Sequence, residues 1–216
     1  MARLSAQDQI EIAVATPHHI PRSNLSGRAE INKMVSNINN EIERNQIEFT
    51  VIAGQENKIS DDLHRTIAAE DSLLIGCSNY ILVEAPFIEF PAYIYETLGT
   101  LLEKNIRPIL AHPERNQLIQ QDLTILKRLK DQGILLQVNT GSFVGHYGDK
   151  TQSAAEYMLK KGIIDVVASD AHTSTGIRVP NMSEGFDIIE NFSGENEALQ
   201  LTSYNPHDII LGNRLP

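Results

Sequence analysis

The sequence predicts an α/β fold of successive parallel βα units, arranged as a sheet or barrel, and three observations lead to it. Short apolar runs alternate with segments of helical period, the pattern of parallel strands joined by crossover helices. Asn105, Gly133 and Gly162 each stand directly after a helical segment, where a left-handed stop residue ends a helix before the next strand begins. Residues able to hold a metal or a phosphate gather at the ends of the apolar runs, as expected when parallel strands open on one face.

Strands are predicted at residues 12–16, 48–53, 80–84, 108–112, 135–139 and 165–169. Between the first two, residues 28–45 place Ile31, Val35, Ile38 and Ile42 three and four apart, which makes one apolar helix face. Residues 92–104, 122–132 and 153–161 follow the same period less closely. Asn205 followed by Pro206 predicts an Asn-capped closing helix with proline at its first position. No fixed repeat, low-complexity tract or long linker divides residues 1–216, which read as a single domain.

Composition narrows the function. A chain of 216 residues with 41% hydrophobic content can bury a substantial core. The net charge of −10 argues against broad electrostatic binding to nucleic acid, which needs a basic surface. No apolar run approaches the roughly 20 residues of a membrane span, and the opening MARLSAQDQIEIAVA has no signal-peptide pattern, so a cytoplasmic protein without membrane insertion is expected. The single Cys77 excludes an internal disulfide, and without a basic neighbour it reads as a structural thiol.

The chemistry lies at the strand ends. His18 and His19 follow the first strand in ATPHH, Glu56 follows the second in AGQE, and Glu84 ends ILVE. His112 ends the run in ILAHPER, while Asp170 and His172 follow VVA in SDAH. In a parallel arrangement these side chains converge on one cavity. Imidazole and carboxylate donors without thiolates suit a catalytic manganese, iron or zinc site rather than a structural zinc. Arg115 and Arg178 add guanidinium forks suited to a phosphoryl group. Taken singly, each histidine has an ordinary reading as a hydrogen-bonded loop residue and each arginine as a surface residue. Five strand ends delivering such residues together point to a site. His64 is assigned to the surface, His146 in loop 141–149 to packing, and His19 to a supporting place beside His18; His207 lies apart from the strand ends.

The ordered motifs ATPHH, GQE, ILVEAPF, AHPERN and ASDAH resemble the polymerase-and-histidinol-phosphatase superfamily, and within it the manganese-dependent tyrosine phosphatases of capsule and exopolysaccharide operons. The resemblance implies a distorted seven-stranded (β/α) barrel. It also implies a cluster of two or three ions, Mn2+ or else iron or zinc, held by His18, Glu56, Glu84, His112, Asp170 and His172. Arg115 and Arg178 would bind the phosphate, and His112 is in addition a candidate proton donor. The implied activity is hydrolysis of phosphotyrosine on a protein, such as a bacterial tyrosine kinase, by metal-activated hydroxide. A small-molecule phosphatase acting on an ester such as histidinol phosphate, and a catalytically impaired remnant acting as a binding module, are the alternatives. Some members of the family assemble into rings, so an oligomer is a further expectation. The family's first strand carries a His-x-His pair followed by an Asp-Asp-Gly loop, and this chain contains neither. Aligned on ATPHH, Met1 falls inside the family's first helix, so roughly 20 to 25 leading residues and that strand are expected to be missing, by a misassigned start or a natural truncation. One ion position would then be compromised.

Overall fold

The computed structural model describes residues 1–19 and 27–215. Helix α1 (Ala2–Gln7) leads to β1 (Ile12–Ala15), and α2 (Arg28–Arg44) carries the chain to β2 (Thr50–Ala53). A short strand β3 (Glu56–Lys58) follows, then α3 (Leu63–Ala68), β4 (Tyr80–Glu84), α4 (Tyr93–Glu103) and β5 (Arg107–Ala111). A 3-10 turn (Pro113–Arg115) precedes α5 (Gln117–Gln121), α6 (Thr124–Asp131) and β6 (Leu135–Asn139). Beyond these lie α7 (Thr140–Phe143), α8 (Asp149–Lys160), β7 (Val166–Ala168), α9 (Met182–Ser193), α10 (Glu195–Leu199) and α11 (Asn205–Leu211). No helix among the described residues is long and apolar enough to cross a membrane.

All pairings are parallel. β1 pairs with β2, and a five-stranded sheet runs in the order β3-β4-β5-β6-β7. The sequence predicts a strand at residues 48–53 with Glu56 just beyond it; the structure forms a further strand there, β3, set off from β2 at Gly54 and Gln55, so that β2 serves β1 and β3 serves β4. Gly54 suits the break because a Cβ there would lie 2.7 Å from Val14 Cγ1.

Both faces of the sheet are apolar, as parallel sheets require. Ile81, Val83, Leu110, Leu136 and Val138 join the helix side of the core with Leu98, Leu101, Leu126 and Leu129. The opposite face carries Tyr80, Leu82, Ile109 and Val166, with Ile209 of α11. Val14 of β1 packs against this same cluster as Val166 of β7. No ladder joins β7 to β1 among the described residues.

Asn105, Gly133 and Gly162 adopt φ of 60°, 81° and 60°, the left-handed stops expected from their positions. Two expectations fail. Ile38 is 46% exposed, unlike Ile31, Val35 and Ile42, and lines an open groove with Met1, Ala2 and Arg3. Asn205 does not cap a new helix: Tyr204 before it is already helical, with φ −68° and ψ −49°. Its side chain instead donates to Asp165 O at 2.7 Å, fastening α11 to the approach to β7.

Asp8 performs the capping that the sequence does not announce. Its carboxylate accepts from the backbone N–H of Met182 at 2.6 Å and of Ser183 at 3.2 Å, and from the Ser183 hydroxyl. A carboxylate at a helix N-terminus satisfies otherwise free donors and favours the helix dipole. Asp8→Ala is expected to lower unfolding free energy by about 1 kcal/mol, read as a shifted urea midpoint at unchanged slope.

Candidate metal centre

His18, Glu56, Glu84, His112, Arg115, Asp170 and Arg178 line one cavity of about 370 Å3, together with His19, Lys58 and Phe87. They come from the carboxyl ends of β1, β4, β5 and β7 and from β3. Each strand's last residues turn inward where the backbone leaves the ladder. At two of these ends the backbone itself is unusual: His112 has φ 34° and Asp170 φ 47°. Non-glycine residues in this region cost of order 1–3 kcal/mol each and persist where surrounding structure enforces them, often at functional sites.

Glu56 is the hub. Its carboxylate reaches His18 Nδ1 at 2.9 Å and His112 Nε2 at 3.0 Å, while His112 Nε2 lies 3.5 Å from Glu84 Oε1. One candidate ligand atom from each of His18, Glu56 and Glu84 lies within 4.8 Å of the others. Glu56 and His112 are 5% and 4% exposed, so their interaction is little screened by water. Burial raises the Glu56 carboxyl, but the hydrogen bond and charge of His112 outweigh it and hold the group below the usual carboxylate range. Burial pushes the Glu84 carboxyl up, and the Glu56 charge adds to that. Two carboxylates facing each other in a cavity, with neighbouring imidazoles, form a donor set that fits a divalent cation of the manganese, iron or zinc type.

Asp170 organises the other half. Its Oδ2 accepts from Arg178 Nη2 at 2.7 Å and from Asn139 Nδ2 at 2.8 Å, and Arg115 Nη1 lies at 3.5 Å. Arg178 O in turn accepts the backbone N–H groups of His172 and Thr173 at 2.9 and 3.1 Å, closing loop 172–178. His172 is not among the residues lining the cavity, but its ring centroid is 5.9 Å from that of His18, which joins the two halves. The eight residues proposed from the sequence thus come together. Asp170, however, pairs with the arginines rather than with Glu56 and Glu84.

Three residues were missed. Asn139, fully buried at the end of β6, has LLQVN as its only signal in the sequence. Glu114, also fully buried, accepts from Asn139 N at 3.0 Å and Ser142 Oγ at 2.6 Å; burial pushes its carboxyl up. Phe87 lies nearly parallel to the His112 ring, with centroids 5.5 Å apart and planes at 8°. His64 and His146 are half-exposed and His207 is exposed, and none of them lines the cavity. His19 does line it, and its backbone N–H donates to Glu56 O at 2.9 Å.

The pairing of His112 has a pH consequence. Burial opposes its charged form, yet the Glu56 hydrogen bond and the Glu114 and Glu56 charges raise it above its ordinary 6.5. In the metal-free protein this pairing contributes stability below about pH 6.5 that is lost as pH rises through the higher folded value. An imidazole must be neutral to ligate, so the sign reverses for metal binding: apparent manganese affinity is expected to increase over that same rise. Calorimetry in two buffers of different ionisation enthalpy should show proton release, and affinity that is flat with pH would exclude His112 as a ligand.

The chain matches the family model described as capsular polysaccharide synthesis, CpsB/CapC, over residues 1–211. It is 29% identical over 202 residues to the tyrosine-protein phosphatase YwqE of Bacillus subtilis, covering 94% of this chain and 79% of that one. It is likewise 29% identical over 175 residues to the putative tyrosine-protein phosphatase CapC of Staphylococcus aureus, covering 81% and 69%. Among solved structures, a chain from the crystal structures of YwqE from Bacillus subtilis and CpsB from Streptococcus pneumoniae, described as unique metal-dependent tyrosine phosphatases, matches with a TM-score of 0.95. That match has 27% identity and covers all of this chain and 87% of the other.

Proposed function

The chain belongs to the capsular polysaccharide synthesis CpsB/CapC family, and from that premise we propose that it is a metal-dependent phosphatase that hydrolyses phosphotyrosine on a protein. The natural substrate is a bacterial tyrosine kinase concerned with capsule or exopolysaccharide, and the metal is manganese. The strands form an open (β/α) barrel whose mouth is the cavity. The observation that carries the reading is that a His18, Glu56 and Glu84 donor group and an Asp170-held pair of arginines face one cavity.

His18, Glu56, Glu84 and His112 would hold the cation, with Asp170 and His172 turning toward it from the other half. When bound, such a cation polarises a phosphoryl oxygen and lowers the pKa of water toward neutrality. The chain's own residues do the rest. Arg115 and Arg178 bind the phosphoryl oxygens and offset the charge that builds on them. Asp170, paired with Arg178 and close to Arg115, aims the guanidinium groups. The P–O bond to the phenolate breaks as water's oxygen bonds to phosphorus from the opposite side, and the released proton passes to the solvent. A phenolate leaves readily, so His112 need not supply a proton while its Nε2 faces Glu56 and Glu84.

The test is release of phosphate from a phosphotyrosyl peptide with manganese, with chelator, and beside histidinol phosphate. Chelator-sensitive turnover of the peptide is expected. Turnover confined to histidinol phosphate would move the substrate to a small molecule. Inactivity towards both with metal firmly bound would leave a binding module.

A further inference from the structure

Phe87, a large apolar side chain lining the cavity, remains 42% exposed, and Ile88 after it is 71% exposed. Their loop, between β4 and α4, is fastened rather than loose. The Asn116 amide donates to the carbonyls of Pro86 at 2.5 Å and Glu89 at 3.0 Å, and Gln117 N–H donates to the Phe87 carbonyl between them at 2.7 Å. Asn116 is itself 3% exposed and caps α5 through Ile119 N–H at 2.9 Å. Exposed apolar groups on a backbone so held keep their place without burying themselves. Among the described residues lining the cavity, Phe87 has the one phenyl ring. The Arg115 guanidinium lies 4.9 Å from that ring and 4.3 Å from the ring of Tyr147.

An alkyl phosphate would be served by the arginines alone. An aryl phosphate carries a flat apolar disc directly beyond its ester oxygen, and aromatic rings prefer offset or edge contacts over an open apolar wall. We propose that Phe87 is a specificity-determining residue: it packs against the ring of an aryl phosphate monoester whose phosphoryl group lies at Arg115 and Arg178, and so selects aryl over alkyl esters. This deepens the phosphatase reading and rests on it.

The experiment measures calorimetric Kd values of phenylphosphonate, methylphosphonate and inorganic phosphate on the manganese-loaded full chain, for the wild type, Phe87→Leu and Phe87→Ala. Metal content is checked on each, and phosphotyrosine turnover is followed in the wild type alongside. The wild type is expected to prefer phenylphosphonate to methylphosphonate by about fivefold to tenfold. Phe87→Ala should lose most of that preference and Phe87→Leu part of it, with inorganic phosphate changed by less than about twofold. A preference that is absent from the wild type, or survives in Phe87→Ala, overturns the proposal. So does an equal loss of phosphate affinity, which would make the ring a support for Arg115. Retained phenyl preference without phosphotyrosine turnover would instead overturn the phosphatase reading and leave the aryl site standing.

Discussion

Glu56→Gln is expected to empty the metal centre and lower kcat/KM for a phosphotyrosyl peptide by about a thousandfold or more. The carboxylate is 5% exposed and touches both His18 and His112. The amide keeps the size of the side chain but removes the charge that draws a cation, and it turns an NH2 group toward one of the imidazoles. Metal catalysis supplies several kcal/mol of transition-state stabilisation, and about 1.4 kcal/mol corresponds to tenfold. The same substitution takes the buried partner from His112, whose raised value depends on it. Since that pairing stabilises the metal-free protein below about pH 6.5, the drop in Tm should be larger at about pH 6 than at about pH 8.5. Unchanged metal content in the variant would remove Glu56 from the ligand set, whatever happened to the rate.

Local signals made the frame of this site readable. Apolar runs ending in His, Glu or Asp give both the strand and the direction in which it opens, and the left-handed stops at Asn105, Gly133 and Gly162 mark where each following strand is approached. What the sequence did not announce depends on contacts between distant segments. Asn139 matters because its amide meets Asp170, 31 residues away, and Asp8 because it meets the start of α9, 174 residues from Met182. Phe87 is one apolar residue among many until the hydrogen bonds of Asn116 and Gln117 hold its loop at the cavity rim. β3 escaped notice because three residues carry too little period to read as a strand. Asn205 misled because Asn before Pro is a sound capping signal, and here a long-range bond to Asp165 uses the amide instead.

Arg178→Lys separates two roles that the geometry leaves joined. Arg178 Nη2 is 2.7 Å from Asp170 Oδ2, and the same side chain lines the cavity. If the guanidinium binds the phosphoryl group in the transition state, lysine cannot reproduce the paired geometry, and kcat should fall by about 100- to 1,000-fold with metal content retained. The inhibition constant of inorganic phosphate should rise with it. If Arg178 only aims Asp170, lysine keeps the ion pair, kcat and phosphate inhibition stay near their wild-type values, and the loss in kcat appears only when Asp170 itself is changed, as in Asp170→Asn. The phosphate constant therefore decides the matter, because an arginine that never touches the phosphoryl oxygens has no reason to alter it.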